Sequence, residues 1–319
     1  MKKVLIRIAA SLALLVLLAG AAFAYASHRA GSILGHSYAA HEVDFPVPMP
    51  MSPDEIPEGE DPDAFALASA IERGRHLVRA RYACADCHGE DLSGGVMIDD
   101  PAMGRLLGPN LTSGKGSIVS DYTPSDWDRL VRHGIRPDGR PALMPSEDFM
   151  AMSDRELSDL VAYIGSLPPI DNEVPPSALG PVGRVLVALG KFPLSARMIP
   201  DHDRPHRVEP PEEAVTLEFG QHLAQVCTGC HRQNFEGGAI IQGPPDWPAA
   251  TNLTLHEDGL AGYDLETFRR VMREGIRPDG EPVRAPMDIA SILGANMTDI
   301  EIEALWLFFS SLTPIPMGK

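Results

Sequence analysis

Residues 84–88 read Cys-Ala-Asp-Cys-His, and residues 227–231 read Cys-Thr-Gly-Cys-His. Together these two stretches contain all four cysteines of the 319-residue chain. Each has the form Cys-x-x-Cys-His, so no cysteine remains for a disulfide or a nucleophile elsewhere. Because a histidine follows each thiol pair at the same spacing, both stretches are predicted to serve the same chemistry.

The Cys-x-x-Cys-His motif is the attachment sequence of c-type haem. Its two thiols add to the haem vinyl groups, and its histidine reaches the iron as an axial ligand. A structural zinc site with four thiolates is the alternative. In such sites the cysteine pairs lie about 15–20 residues apart, whereas here they lie in opposite halves of the chain. The motifs therefore predict two covalently bound c-type haems, with these attachment and iron-binding residues: Cys84, Cys87 and His88, and Cys227, Cys230 and His231.

The sequence around the first motif recurs around the second. Residues 134–139 read Gly-Ile-Arg-Pro-Asp-Gly, and residues 275–280 repeat these letters. Asn-Leu-Thr occurs at 110–112 and again at 252–254. Self-similarity at a fixed separation indicates one structural unit written twice. The two units expected from it, each of ordinary domain size, are called the first and second repeats: residues 70–168 and residues 214–319.

Apolar residues in each repeat recur at helical spacing, and no alternating strand pattern recurs. In the first repeat, a helix over 71–80 is expected to lead into the haem motif. A second helix is expected to begin near 123–126 and to end at Gly134, and a last helix should cover 154–167. The predicted fold class is therefore all-α, with a few helices around each haem.

A haem that only transfers electrons has both axial positions filled, and a His/Met pair raises its reduction potential. Met144 and Met287 lie at equal separations after the histidines of their motifs, so they are the predicted second ligands. If Met287 does not bind the iron, the second haem would have an open site. Three other methionines are expected to pack just ahead of the last helices: Met150, Met152 and Met297.

The N-terminus places basic residues before an apolar run over 8–26, which is about long enough to span a bilayer. The positive-inside rule puts its start in the cytoplasm. We expect residues 1–27 to form an uncleaved anchor in a bacterial inner membrane, with the body in the periplasm. The alternative is a signal peptide that is cleaved at the small residues near 22–26, which would leave a soluble periplasmic protein.

Two connecting segments and the net charge complete the prediction. Residues 28–69 are an acidic, proline-rich spacer that is expected to be solvated. Residues 169–213 are a proline-rich linker, with one short helix at 182–190 that is expected to pack as a strap between the repeats. The alternative is that this helix lies on the membrane surface. A net charge of −17 argues against nucleic acid as a partner. It suits a partner with a basic docking patch.

The first repeat resembles a class I cytochrome c domain. The resemblance rests on the haem motif, on Gly-Pro-Asn-Leu at 108–111, and on Met-Pro at 144–145 ahead of a final helix. The doubled arrangement resembles the membrane-associated cytochrome subunits of bacterial periplasmic dehydrogenases, including alcohol dehydrogenases. The resemblance implies an electron carrier between a periplasmic dehydrogenase and a terminal oxidase or another cytochrome. The alternative is a haem enzyme of the peroxidase or sulfur-compound oxidase type.

The resemblance also implies roles for individual residues. The Pro109 carbonyl would accept a hydrogen bond from His88, while the second repeat has Thr251 there instead of proline. A first-helix glycine would pack on an aromatic residue of the last helix, as Gly74 on Tyr163 and Gly220 on Phe308 or Trp306. Arg136 and Arg277 would pair with haem propionates or serve as turn residues. His76 and His222, which recur in the two repeats, are expected to pack or be exposed. No separate metal cluster is expected.

Overall fold

A computed structural model describes residues 2–240 and 247–318. Up to residue 168, the helices are α1 (Lys2–Leu34), α2 (Pro62–His76), α3 (Cys84–His88), α4 (Pro124–His133) and α5 (Asp154–Ser166). One π-helical turn (Leu77–Arg81) continues α2, and short 3-10 turns cover Pro53–Glu55 and Ser146–Asp148. The strands are β1 (Gly95–Asp100), β2 (Gly104–Gly108) and β3 (Ala178–Leu179).

After residue 168, apart from β3 and isolated bridges, the regular structure of the described part is helical. Its helices are α6 (Pro181–Ala188), α7 (Ser195–Met198), α8 (Leu217–Ala224), α9 (Thr228–His231), α10 (Leu265–Glu274), α11 (Asp288–Asn296) and α12 (Asp299–Ser311). A 3-10 turn, Gln225–Cys227, leads into α9. The fold is thus predominantly helical, with an apolar N-terminal helix.

A small antiparallel sheet departs from the all-α expectation. Its strand order is β1-β2-β3, and a register shift interrupts the pairing of β1 with β2 between Val96 and Ile98. Such a bulge disturbs the alternation by which strands are recognised in a sequence. In the described part of the second repeat, the corresponding place holds an isolated bridge between Gly238 and Ala250.

In each repeat the first helix crosses the last helix at a glycine. A Cβ atom on Gly74 would lie 2.0 Å from the Asp159 carbonyl oxygen and 2.7 Å from Cβ of Tyr163. A Cβ atom on Gly220 would lie 2.7 Å from Cβ of Phe308. The expected glycine–aromatic pairs are confirmed, with Phe308 rather than Trp306 at Gly220. Only a residue without a side chain allows the helices to approach this closely.

The last helices begin at matched capping boxes. Ser153 caps α5 and Thr298 caps α12, each by accepting a hydrogen bond from the backbone N–H of the glutamate three positions later. Those glutamates, Glu156 and Glu301, bond back to the cap residues. The arrangement satisfies backbone donors that a helix start otherwise leaves unpaired. It also fixes both carboxylates where the two repeats meet.

Two large hydrophobic cores lie around the two haem motifs. The first includes Leu77, Trp127, Leu157 and Leu160, and the second includes Phe219, Phe268, Leu305 and Phe309. The cores interlock at their edges. Ala80, which precedes the first motif, is fully buried in the second core, and Val226, which precedes the second motif, packs on the first.

The spacer differs from the expected solvated segment. Phe45 is buried in the first core, and the backbone N–H groups of Val43 and Met49 donate to the hydroxyls of Ser125 and Ser158 at 3.0 Å. The spacer also ends early, because α2 begins at Pro62 after an Asp61 cap rather than at residue 71. The acidic segment therefore lies on the first repeat up to Met49.

The short linker helix exists but packs elsewhere than expected. α6 lies against α1, and its Val187 and Ala188 share a third core with Ala30 of α1 and Leu106 of β2. The linker thus packs between the C-terminal end of α1 and the sheet of the first repeat. It does not form the strap between the repeats that the sequence suggested.

The N-terminal helix is continuous from Lys2 to Leu34 and extends past the predicted end at residue 27. Among the described residues it is the one helix long and apolar enough to cross a membrane, and its apolar part is exposed. Burial begins near its C-terminal end, at Ala30. A signal sequence near an N-terminus passes the same test of length and apolar composition as a membrane anchor.

Candidate haem sites

The first haem motif forms the short helix α3, and strands β1 and β2 pack against it. A Cβ atom on Gly95 would lie 2.4 Å from the Cys87 carbonyl oxygen, and one on Gly108 would lie 1.9 Å from it. β1 and β2 therefore reach the motif at distances that only glycine permits. This close approach is the local reason that the motif keeps one fixed orientation.

The histidine of the first motif is oriented by a backbone carbonyl. Nδ1 of His88 lies 2.9 Å from the Pro109 carbonyl oxygen, and because a carbonyl only accepts, the ring nitrogen donates. The proton on Nδ1 leaves Nε2 with the lone pair that iron requires. Burial lowers the pKa of His88, against the opposing effect of this hydrogen bond. A neutral imidazole is the form that binds metals.

The second motif keeps the same arrangement without the proline. Nδ1 of His231 donates to the Thr251 carbonyl at 2.6 Å. Burial lowers the pKa of His231 as well, with the Thr251 bond again acting in the opposite direction. A backbone carbonyl is thus sufficient, and the side chain at this position is free to differ between the repeats.

The four thiols fit an attached haem better than a metal thiolate site. All four cysteines are unpaired and half-buried. Burial raises the pKa of Cys84 and of Cys227 to about 12. Among the described residues, no three of these thiols and motif histidines come close enough to share one metal ion, as a structural zinc site would require. The donor set at each motif therefore fits a c-type haem.

The Asn-Leu-Thr stretches close the loop behind each motif in the same way. Asn110 and Asn252 are fully buried, and each accepts hydrogen bonds at 2.9 and 2.8 Å from the backbone and hydroxyl of the threonine two positions later. Their amides donate to the carbonyls of Ile170 and Ile315. These buried asparagines are structural parts of the loop rather than glycosylation sites.

The methionines fall into two settings. Met152 and Met297 are almost fully buried in the first and second cores, which confirms that they pack. Met144 is half-buried and contacts the first core alongside Cys84. Met287 is half-buried at the start of α11, whereas the 3-10 turn Ser146–Asp148 follows Met144.

Arg136 and Arg277 occupy equivalent turns. Each pairs with the aspartate two positions later, Arg136 with Asp138 and Arg277 with Asp279. Their backbone carbonyls accept from Gly139 and Gly280 at 2.8 and 2.9 Å, which closes both turns. Both arginines are therefore turn residues in this structure, and their pairing with haem propionates stays a prediction.

Comparison with known proteins identifies the class of domain. Residues 69–164 match the family described as cytochrome C oxidase, cbb3-type, subunit III. The chain therefore contains a cytochrome c-type domain. That match covers the first haem motif, the Pro109 carbonyl and Met144 within one family unit.

The chain is similar to curated dehydrogenase subunits. The fructose dehydrogenase cytochrome subunit of Gluconobacter japonicus is 33% identical over 148 residues, which is 44% of this chain. The gluconate 2-dehydrogenase cytochrome c subunit of Pantoea cypripedii is 33% identical over 281 residues, or 78% of this chain. The alcohol dehydrogenase (quinone) cytochrome c subunit of Gluconacetobacter polyoxogenes is 25% identical over 291 residues, or 82% of this chain. This chain spans 30%, 61% and 59% of those three proteins respectively.

Each haem motif lies beside the methionine loop of the other repeat. The carboxylate of Asp148, just after Met144, contacts Gly229 and Thr228 inside the second motif. Conversely, Asp86 inside the first motif lies close enough to Asp288, just after Met287, for that charge to raise the pKa of Asp86, in addition to the larger effect of burial. Each motif thus lies at the contact between the repeats.

A buried ionic cluster joins the repeats below the motifs, and sequence reasoning missed it. Nε of Arg81 donates to Glu301 at 2.5 Å, and its Nη1 lies 3.4 Å from Glu156. The recurring histidines cross over, because His76 contacts Glu301 and His222 contacts Glu156, each at 2.9 Å. The signals were present in the sequence, as a repeated histidine and a repeated capping glutamate. Nothing local indicated that each histidine binds the glutamate of the other repeat.

Proposed function

We propose that this chain is a dihaem electron-transfer protein that carries single electrons from a periplasmic dehydrogenase to a respiratory acceptor. The observation that carries the proposal is the reciprocal contact between each haem motif and the other repeat's methionine loop. This contact supports a relay, because two haems held at these motifs would lie on adjoining parts of the two repeats. When bound, c-type haem supplies one-electron chemistry at its iron.

In this proposal the chain consists of tandem class I cytochrome c domains over residues 70–168 and 214–319, with two bound haems. Cys84 and Cys87 attach the first haem, and Cys227 and Cys230 attach the second. His88 and Met144 bind the first iron, and His231 and Met287 bind the second. The carbonyls of Pro109 and Thr251 hold the histidine rings in orientation, and the two cores exclude water.

The partner is inferred from the relatives and from charge. Each of the three relatives is named as a cytochrome subunit of a dehydrogenase. By analogy the electron donor is a dehydrogenase, and the acceptor is a terminal oxidase or another cytochrome. A net charge of −17 suits docking onto a basic partner surface. Association is then expected to weaken as salt is added.

We further propose that α1 stays in the inner membrane as an anchor, with both haem sites in the periplasm. The length of α1, 33 residues, and its exposed apolar surface support this. Cleavage near residues 22–26 would leave Ala30 and its packing against Val187 and Ala188 in place, so the third core fits both states. The sequence of the mature N-terminus decides between the two states.

Haem content and redox titration of the full chain test the electron-transfer proposal. In detergent, we expect about two haems per chain by pyridine haemochrome assay, and two one-electron components in a spectroelectrochemical titration. Replacing both cysteines of one motif by alanine should remove one haem and one component, with either motif serving as the control for the other. One haem in the wild-type chain, or no Soret band, would overturn the proposal.

A second candidate, a haem enzyme with an open second site, is favoured by the setting of Met287. Asp288 and the helix α11 follow Met287, whereas Pro145 and a 3-10 turn follow Met144. Cyanide binding to the ferric wild-type protein separates the two candidates. Binding at one haem in stoichiometric amounts supports the enzyme, and absence of binding with a low-spin spectrum supports the carrier.

A further inference from the structure

Three histidines and one aspartate meet at a point away from both haem motifs. His41 comes from the spacer, Asp128 and His133 from α4, and His206 from the linker. One ligand atom from each lies within 4.8 Å of every other. Asp128 is fully buried and His133 is 1% exposed, while the other two are half-buried. Three segments that lie far apart in the chain thus bring these four side chains together.

The hydrogen bonds around the cluster fix the protons on the histidine rings. Nδ1 of His41 donates to the His202 carbonyl at 3.0 Å, and Nδ1 of His206 donates to the Met150 carbonyl at 3.1 Å. Carbonyl oxygens accept only, so each of these two rings has its proton on Nδ1 when neutral. The free lone pair of each ring is therefore on Nε2.

His133 is fixed through a neighbouring histidine. Nε2 of His202 donates to the Ala196 carbonyl at 3.1 Å, which leaves Nδ1 of His202 as an acceptor. Nδ1 of His133 lies 3.0 Å from that acceptor and donates to it. The free lone pair of His133 is thus also on Nε2, which lies 3.1 Å from Nε2 of His206. Two lone pairs face each other with no hydrogen atom between them.

The aspartate adds a negative oxygen to the same point. Arg132 donates to Oδ1 of Asp128 from Nε at 2.7 Å, which orients the carboxylate. The other oxygen, Oδ2, is buried, accepts no hydrogen bond among the described residues, and lies 3.5 Å from Nε2 of His133. A buried carboxylate oxygen without a partner is costly. A cation at this point would satisfy it together with the opposed lone pairs.

We propose that His41, Asp128, His133 and His206 form a binding site for a divalent transition-metal ion, with zinc the expected occupant. Three imidazole nitrogens and one carboxylate oxygen are a zinc donor set, whereas calcium and magnesium select oxygen ligands. The carbonyls that bind the Nδ1–H groups supply the outer hydrogen bonds that metal-bound histidines usually have.

Four protein ligands, of which Asp128 and His133 are buried, describe a closed, structural site rather than a catalytic one. The ion would connect the spacer that follows α1, the helix α4 of the first repeat, and the linker that leads to the second repeat. Its effect would be to fix the first haem domain relative to the membrane helix. The guanidinium of Arg132 is the neighbouring cation, and it is paired with Asp128 and with Asp154 at 2.9 Å.

The test uses the full haem-loaded chain in detergent, purified without a histidine tag. Metal analysis should find about one zinc per chain after dialysis against a weak chelator. Zinc K-edge absorption, which is separate from the iron edge, should show a shell of light ligands at about 2.0–2.1 Å. After stripping with a strong chelator, zinc chloride should rebind and raise the thermal midpoint.

Variants show which residues bind the ion. His133→Gln and Asp128→Asn should each weaken zinc binding by more than the roughly 10–100-fold that loss of an outer-shell partner costs, with the Soret band unchanged. The matched control is His256→Gln, because His256 pairs with Asp258 at 2.8 Å on the second repeat and would bind only adventitious zinc. It should leave zinc content and affinity at wild-type values.

Two results would overturn the proposal. One is a wild-type chain that holds no zinc after dialysis and shows no thermal shift with zinc chloride, because protons then occupy the cluster. The other is zinc loss in His256→Gln equal to that in His133→Gln. A variant that fails to fold leaves the measurements on the wild-type chain decisive. Neither result affects the electron-transfer proposal, whose test depends on haem content and potential.

Discussion

Met144 and Met152 flank the same turn but differ in burial. Met144 is half-buried and packs against the first core, whereas Met152 is buried within it. If Met144 binds the first iron, Met144→Leu keeps the side-chain volume and removes the sulfur ligand. We expect a high-spin ferric signal, cyanide binding at one haem, and a lower potential for that haem.

The control is Met152→Leu, a swap of similar volume that should cost less than about 1.5 kcal/mol and leave the haem spectra unchanged. Electron paramagnetic resonance and redox titration give the measurement. An unchanged low-spin spectrum and potential in Met144→Leu would show that another group holds the sixth position. The same comparison can be made for Met287 against Met297.

At the residue level, the sequence indicated those residues whose chemistry depends on local spacing. The haem motifs are local, since covalent attachment requires two thiols and a histidine within five positions. Arg81 and Glu301 are 220 positions apart, and their ion pair depends on how the repeats dock. The metal-site histidines were overlooked for the same reason, because His41, His133 and His206 lie in three separate segments.

Among the helices, the crossing of α2 and α5 depends on Gly74. A methyl group at Gly74 would lie 2.0 Å from the Asp159 carbonyl oxygen, so Gly74→Ala must push the helices apart. Overpacking of this kind typically costs about 1–3 kcal/mol. Denaturant unfolding should therefore show a lower midpoint for Gly74→Ala.

Gly165→Ala in α5 is the matched control, because a Cβ atom there meets nothing within 4 Å. Alanine favours helix over glycine by up to about 1 kcal/mol, so this variant should be neutral or slightly stabilised. Equal destabilisation by both substitutions would mean that backbone effects, rather than the close crossing, determine the result. Gly220→Ala should reproduce the loss in the second repeat.

Helix starts were predictable where a cap residue marked them, and the strands were not predictable. Ser153 and Thr298 begin α5 and α12 as the sequence indicated. The start of α2 had its own signal in Asp61 followed by Pro62, an N-cap and a first-turn proline. β1 gave no such signal, because its burial does not alternate and a bulge interrupts it.

In the whole molecule, the repeats are held together by charge as well as by apolar packing. Removing one partner of a buried ion pair typically costs about 3–5 kcal/mol, since the other charge stays buried. The pKa values of Glu156 and Glu301 show how strongly the neighbouring cation and hydrogen bonds offset the cost of burying these two carboxylates. Burial acts to raise the pKa of Glu301, but the hydrogen bond from His76 and the charge of Arg81 outweigh it and lower it to about 2. His222 and Arg81 likewise hold the pKa of Glu156 at about 2.

These lowered pKa values predict acid sensitivity of the contact between the repeats. A carboxyl group whose pKa falls on folding contributes stability above its unfolded pKa, which is about 4.3 for glutamate. That contribution is lost as pH falls from there towards 2. For one carboxylate it is on the order of 3 kcal/mol at neutral pH. Unfolding free energies measured across this range should therefore decline steeply with acid.

Glu301→Gln should flatten that decline, because it removes one of the titrating groups, and it should lower stability at neutral pH by leaving Arg81 and His76 underpaired. The control is Glu303→Gln, on the same helix, whose carboxylate pairs with Arg269 at 2.9 Å near the surface. A surface pair is worth at most about 1 kcal/mol, so this variant should keep the wild-type pH profile. If both variants give the wild-type profile, the acid transition comes from another part of the molecule. If Glu301→Gln alone flattens it, the crossed histidine–glutamate pairs hold the two haem motifs together.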